Sequence, residues 1–150
     1  MNSTTVLTDR TVVIRDGRIV TVGLAAEVPV QGNRVVDGSG KYLMPGLADM
    51  HVHYWDVGEF GMFLANGVTL VRNMWGSPFH LAMRQKIASG DFPGPRVITT
   101  SPIIDGPGPA GTTIWPGSSM AADSSQARSL VREFSARGYQ QTKAYSWLKL

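Results

Sequence analysis

Hydrophobic and polar positions alternate through the first part of the chain and change to a longer period after Pro45. In residues 11–22 the stretch TVVIRDGRIVTV sets two β-branched runs on either side of Asp16-Gly17. Both positions of such a pair favour positive φ, so a two-residue hairpin with two strand arms is predicted. Another extended piece is expected at residues 34–37, and up to about Lys41 every pattern is β. Beyond Pro45, LADMHV is a strand candidate, and EFGMFLAN is a short apolar helix closed by Gly67. VTLVRN follows as a strand rich in β-branched residues. Ser77-Pro78 then supplies an N-cap and a first-turn proline for the helix FHLAMRQKIAS, which stops at Gly90. RVITTS is the third strand, and a Pro/Gly-rich loop is expected from Pro102 to about Met120. Asp123 or Ser124 caps a helix whose Ala127, Leu130, Val131 and Phe134 share one face at i, i+3, i+4, i+7. Gly138 ends it, and QQTKAYSWLKL is expected to be a fourth strand running into another helix.

This order, a hairpin and then β-α-β-α-β-α-β, predicts an α/β fold with parallel strands joined by right-handed crossovers. An open doubly wound sheet and part of a (β/α)8 barrel both satisfy it. A whole barrel takes about 250 residues, so residues 46–150 hold four units, half of one. Residues 1–45 form the separate β segment.

Composition narrows the function classes. The 150 residues are 43% hydrophobic and 17% charged, an ordinary globular balance that argues against disorder. The net charge of +3 arises from scattered residues with no basic block, so nucleic acid is not an expected partner. Without cysteine there is no disulfide framework and no thiolate ligand, so a metal would have to take histidine or oxygen donors. No export signal or membrane-length apolar run is seen, and a cytoplasmic location is expected.

The candidate chemistry lies in PGLADMHVH, residues 45–53, where two of the three histidines are separated by one valine. Residues i and i+2 of a strand share a face, so His51 and His53 can aim ring nitrogens at one point while Val52 packs behind them. Asp49 is on the same face, where it can accept a ring N–H and fix the ligating tautomer. An HxH pair by itself is equally compatible with two half-buried histidines at a strand end. Its position at the C-terminal end of the first parallel strand is where α/β folds place their sites. Tyr54 and Trp55, bulky and adjacent, are candidates for substrate contact, with ordinary packing as the alternative. His80 reads as a partly exposed helical histidine; Asp56 and Glu59 could line a pocket after the HxH pair, although loop carboxylates are usually solvated. The long loop after the third strand is a candidate substrate lid. No nucleotide-phosphate loop motif is present.

PGLADMHVH, FLANGVTLVRNMWG, SGDFPGPRVITTSPIIDGPG and ARGYQQTKAYS, in this order, resemble the first half of a metal-dependent amidohydrolase, most closely the imidazolonepropionase-like and prolidase-like branch. The resemblance implies the first half of a TIM-type (β/α)8 barrel preceded by part of a small β-sandwich, to which the hairpin would belong. It makes His51 and His53 ligands of a divalent metal, with zinc the first expectation and one or two ions per site. It makes Lys143 a candidate bridging ligand in carboxylated form. Burial lowers a lysine's pKa, and the free amine can then combine with carbon dioxide and become an anionic oxygen donor. A solvated surface lysine is the alternative for Lys143. The implied reaction is hydrolysis of a C–N bond in a cyclic amide or dipeptide-like small molecule. Further histidines and an acid/base aspartate would come from later barrel strands, so the sequence reads as an N-terminal fragment. Alone, the chain is expected to be inactive and to self-associate through its open face; the alternative function is that of a truncated half-barrel without catalysis, at most a folding or interaction module.

Overall fold

The structure is a computed structural model, in which residues 5–32, 34–108 and 115–148 are described. It divides into two compact units, Met1–Met44 and Pro45–Leu150.

The first unit holds β1 (Arg10–Arg15) and β2 (Arg18–Leu24), paired antiparallel from Arg10 opposite Leu24 to Arg15 opposite Arg18. Asp16 and Gly17 take φ of 51° and 70°, the left-handed pair that a two-residue hairpin turn demands. The extended piece expected at residues 34–37 is not a strand. No strand lies beside it among the described residues, and the Asp37 carboxylate instead turns the chain by accepting the Ser39 N–H at 2.9 Å.

In the second unit, β3 (Leu47–Val52), β4 (Val68–Asn73), β5 (Arg96–Asp105) and β7 (Gln141–Ala144) lie side by side, all parallel. Connecting them are α1 (Glu59–Ala65), α2 (Pro78–Ser89) and α3 (Ser124–Ala136). The sheet curls through 188°, about half of a closed turn, so the open architecture is a half (β/α)8 barrel and not a flat doubly wound sheet. Val52, Tyr54, Val71 and Val97 are buried on the helix side of the strands with Phe60 of α1 and Met83 of α2. A second cluster joins Ile104 and Ala121 to Phe134 of α3 and Tyr139. Burying these side chains is worth about 1.5–3 kcal/mol for each large one, which holds helices of modest intrinsic stability on the sheet.

Local signals set the element ends. Asp123 caps α3 by accepting the N–H groups of Ser125 and Gln126 at 2.8 and 2.9 Å. Gly90 closes α2 in the left-handed region with φ 83°. Gly76 follows β4 where the chain crosses tightly against β5, and a Cβ there would collide with the Thr100 carbonyl.

Three expectations need correction. The third parallel strand does not stop at Ser101 but continues through Pro102 to Asp105. The β5–β7 register shifts between Thr100 and Ile103, so the proline, which has no N–H, sits at an irregularity in the ladder. A two-residue strand absent from the sequence reading, β6 (Ser119–Met120), pairs with Ile104 and Asp105. The expected loop therefore begins later, and its centre, residues 109–114, lies outside the described residues. After β7 the described chain makes a turn at Ser146 and Trp147, not the start of a helix. Among the described residues no helix is long and apolar enough to cross a membrane.

Candidate metal centre and aromatic arc

β3 brings the histidines to its C-terminal end. His51 lies within the strand, His53 follows its last residue, and Val52 between them is buried against the helices while both rings are exposed. Their ring centres are 5.3 Å apart. For a tetrahedral zinc bound at about 2.0–2.1 Å, each ring centre would stand about 3.2 Å from the ion and the two rings about 5.2 Å from each other. The separation therefore suits two ligands of one ion. Partial burial, with electrostatic contributions from the nearby His51 and Lys143 as smaller causes, pushes the His53 pKa down. The neutral imidazole, whose lone pair a metal needs, is the favoured form.

Lys143 stands on β7 opposite Ile103 of β5, and its backbone N–H donates to Ser101 Oγ at 3.3 Å. It is half-buried, and its ammonium lies 5.3 Å from the centre of the Tyr145 ring. The sheet thus sets the lysine on its fourth parallel strand, and its charge is a minor cause of the lowered His53 pKa. Among the described residues no three His, Cys, Asp or Glu side chains converge. The candidate ligands are the two imidazoles, with Lys143 at the far end of the same sheet.

Asp49 is exposed, and its Oδ1 accepts the backbone N–H of His51 at 3.2 Å. This bond is to the strand backbone, and among the described residues Asp49 makes none to an imidazole ring. Glu59 accepts the N–H groups of Trp55 and Asp56, at 2.8 and 3.1 Å, and Asp56 accepts that of Gly58 at 2.7 Å. These two carboxylates shape the turn ahead of α1.

Tyr54 and Trp55 separate completely. Trp55 is 60% exposed, whereas Tyr54 is fully buried with its ring 4.8 Å from Phe60 and 4.7 Å from His80. Burial raises the Tyr54 pKa well above the ordinary phenol range, and its buried hydroxyl has no hydrogen-bond partner among the described residues. Tyr54 is therefore a core residue in this fold, out of reach of a substrate on the histidine side. His80 is also fully buried, not partly exposed as its place near a helix start suggests. Its Nε2 is 2.9 Å from the Tyr54 carbonyl, which can only accept, so Nε2 carries the proton. Nδ1 then accepts, and the Ser77 hydroxyl at 2.8 Å donates to it. Ser77 holds the N-cap position ahead of α2 as expected, but its side chain serves His80 and bonds no helix N–H.

Sequence reasoning passed over an aromatic arc. Trp55 and Trp75 are 5.3 Å apart by ring centres, Trp75 and Trp115 5.9 Å, and Trp115 and Tyr145 5.7 Å. Trp75 also stands 6.3 Å from His53, and Tyr145 lies beneath Lys143. The arc thus runs from one candidate ligand to the other. The signal available beforehand was the clustering of scarce tryptophans just after strand ends, Trp55 after the HxH pair and Trp75 after VTLVRN. Trp55, Trp75, Ser77, Pro78, Pro102 and Pro116 line most of a cavity of about 350 Å³.

No protein-family profile matches the chain. Over 48 residues it is 38% identical to the allantoinase of Desulfitobacterium hafniense (strain DSM 10664 / DCB-2), a match covering 32% of this chain and 10% of that protein. A stretch of the same length is 42% identical to the dihydroorotase of Lactobacillus helveticus (strain DPC 4571), again 32% of this chain and 10% of that one. In structure, the chain matches a putative prolidase from Bifidobacterium longum with a TM-score of 0.75 and 24% identity, covering 93% of this chain and 36% of the other. The chain matches about a tenth of the length of these curated relatives and about a third of the solved one. Neighbours in sequence and neighbours in fold agree on one group, the amidohydrolase superfamily.

Proposed function

We propose that the chain carries the first metal-binding strands of a C–N bond hydrolase of the amidohydrolase type, related to its imidazolonepropionase-like and prolidase-like branch and working in the cytoplasm. The observation that carries this reading is the His51–His53 pair at the C-terminal end of the first parallel strand, with ring centres 5.3 Å apart. His51 and His53 would hold a divalent ion, zinc first, each through one neutral ring nitrogen. A bound ion would supply Lewis-acid activation of water and of the scissile carbonyl. Lys143, when its amine is free, adds to carbon dioxide with loss of one proton, and the resulting carbamate offers oxygens toward the same mouth of the sheet. Trp55 and its neighbours orient a small amide or dipeptide-like substrate and keep bulk water from one side of it. No general acid or base is assigned among the described residues.

Zinc calorimetry on this 150-residue chain tests the proposal. Binding weaker by tenfold or more in both His51→Ala and His53→Ala is expected. Unchanged zinc affinity in both variants would remove the assignment. A second reading, a half-barrel that folds and associates without turnover, has one observation behind it: no third His, Cys, Asp or Glu joins the pair among the described residues. Zinc affinity unchanged in both histidine variants, together with concentration-dependent association of the chain, would favour it.

A further inference from the structure

The cavity beside Trp75 is lined almost entirely by apolar groups: two indoles, three prolines, two glycines and Ser77. Its volume of about 350 Å³ is in the range of small-molecule sites. It stands one ring away from His53, since Trp75 lines it and also packs 6.3 Å from that histidine. We propose that this cavity is a subsite for an uncharged ring, aromatic or cyclic aliphatic, that the substrate carries beside its scissile amide. The inference rests on the proposed function for the position of the amide and goes beyond it in substrate class.

Three features select an uncharged ring. Flat indole faces and proline rings offer broad apolar contact, and ring stacking adds to simple burial. Among the described residues no carboxylate lines the cavity, so a cationic group would lose its hydration without an ion-pair partner there. Indole faces do attract cations, but the ammonium of Lys143 already covers Tyr145 at the far end of the arc. A metal at His51 and His53 would add further positive charge. Among the described residues Ser77 is the cavity's one polar side chain other than the indoles, and its proton is committed to His80 Nδ1. Its oxygen is left as an acceptor, so the site tolerates a single N–H or O–H on the ring and offers no hydroxyl donor to an anion.

The test measures binding of four amides to the chain by ligand-observed NMR titration: N-acetyl-phenylalaninamide, N-acetyl-cyclohexylalaninamide, N-acetyl-glycinamide and N-acetyl-lysinamide. The two ring-bearing amides are expected to bind at least tenfold more tightly than the other two. Trp75→Ala and Trp55→Ala should each reduce that preference about fivefold, and Trp75→Phe should retain most of it. Trp55 is 60% exposed, so its replacement leaves the core intact even if Trp75→Ala fails to fold. Equal binding of all four amides, or an undiminished preference in Trp55→Ala, would overturn the proposal. Zinc titration of the same chain without amide reads the metal centre separately. Zinc binding with no ring preference overturns the subsite alone, and ring preference with no zinc binding overturns the metal reading alone.

Discussion

His80 is expected to make the fold acid-sensitive, and the size of the effect follows from its surroundings. The ring is fully buried, donates from Nε2 to the Tyr54 carbonyl and accepts the Ser77 hydroxyl at Nδ1. Burial is the main cause pushing its pKa below the ordinary 6.5, with the Tyr54 bond acting in the opposite direction and His53 adding a small further decrease. The folded chain thus keeps His80 neutral at a pH where the unfolded chain protonates it. Stability is complete above 6.5 and falls as the pH drops from 6.5 toward the folded-state pKa, with a slope of about 1.4 kcal/mol per pH unit for one proton. At pH 5.0 the loss reaches about 2 kcal/mol at most. His80→Gln separates this from other titrations, because an amide can donate to the Tyr54 carbonyl and accept from Ser77 without ionising. At pH 7.5 that variant should lie within about 1 kcal/mol of wild type, since both hydrogen bonds can be remade. Urea melts of both proteins at pH 7.5, 6.5, 5.5 and 5.0 give the comparison. The difference between them should shrink or reverse toward low pH, while carboxylate titration common to both cancels. A constant difference across all four pH values would refute the buried, neutral His80 described here.

Other perturbations read other parts of the fold. Gly76→Ala places a Cβ against the Thr100 carbonyl at the β4–β5 crossing and should cost about 3 kcal/mol or more in a urea melt; a loss below about 0.5 kcal/mol would mean that the crossing is looser than this. Bicarbonate should raise zinc uptake in wild type and leave Lys143→Ala unchanged, measured by metal analysis after desalting; an equal response in both would return Lys143 to the status of a surface lysine. The half-ring leaves β3 and β7 each paired on one side only among the described residues, so sedimentation should show concentration-dependent association. A single monomeric species across micromolar concentrations would contradict that.

How much was legible in the sequence depended on whether the deciding interactions were local. The hairpin, the strand VTLVRN, the first turn of α2 and the cap of α3 were all readable, because Asp-Gly, Ser-Pro and Asp123 act within four residues of themselves. β5 was cut short because Pro102 looks like a breaker, and only the shifted β7 ladder beside it explains why the strand continues. The HxH spacing was enough to place His51 and His53 at one strand end. What surrounds them depends on curvature, which no local pattern encodes. It is the curl of the sheet that lines up Trp75, Trp115 and Tyr145 between His53 and Lys143, with Trp55 beside Trp75. Tyr54 shows the same limit from the other direction. Its neighbour Trp55 is exposed at the end of the arc, yet the alternation of the strand carries Tyr54 to the helix side, beneath His80. In HVHYW the parity of the strand thus assigns His51, His53 and Trp55 to the open mouth of the sheet, and Val52 and Tyr54 to the core that holds it in place.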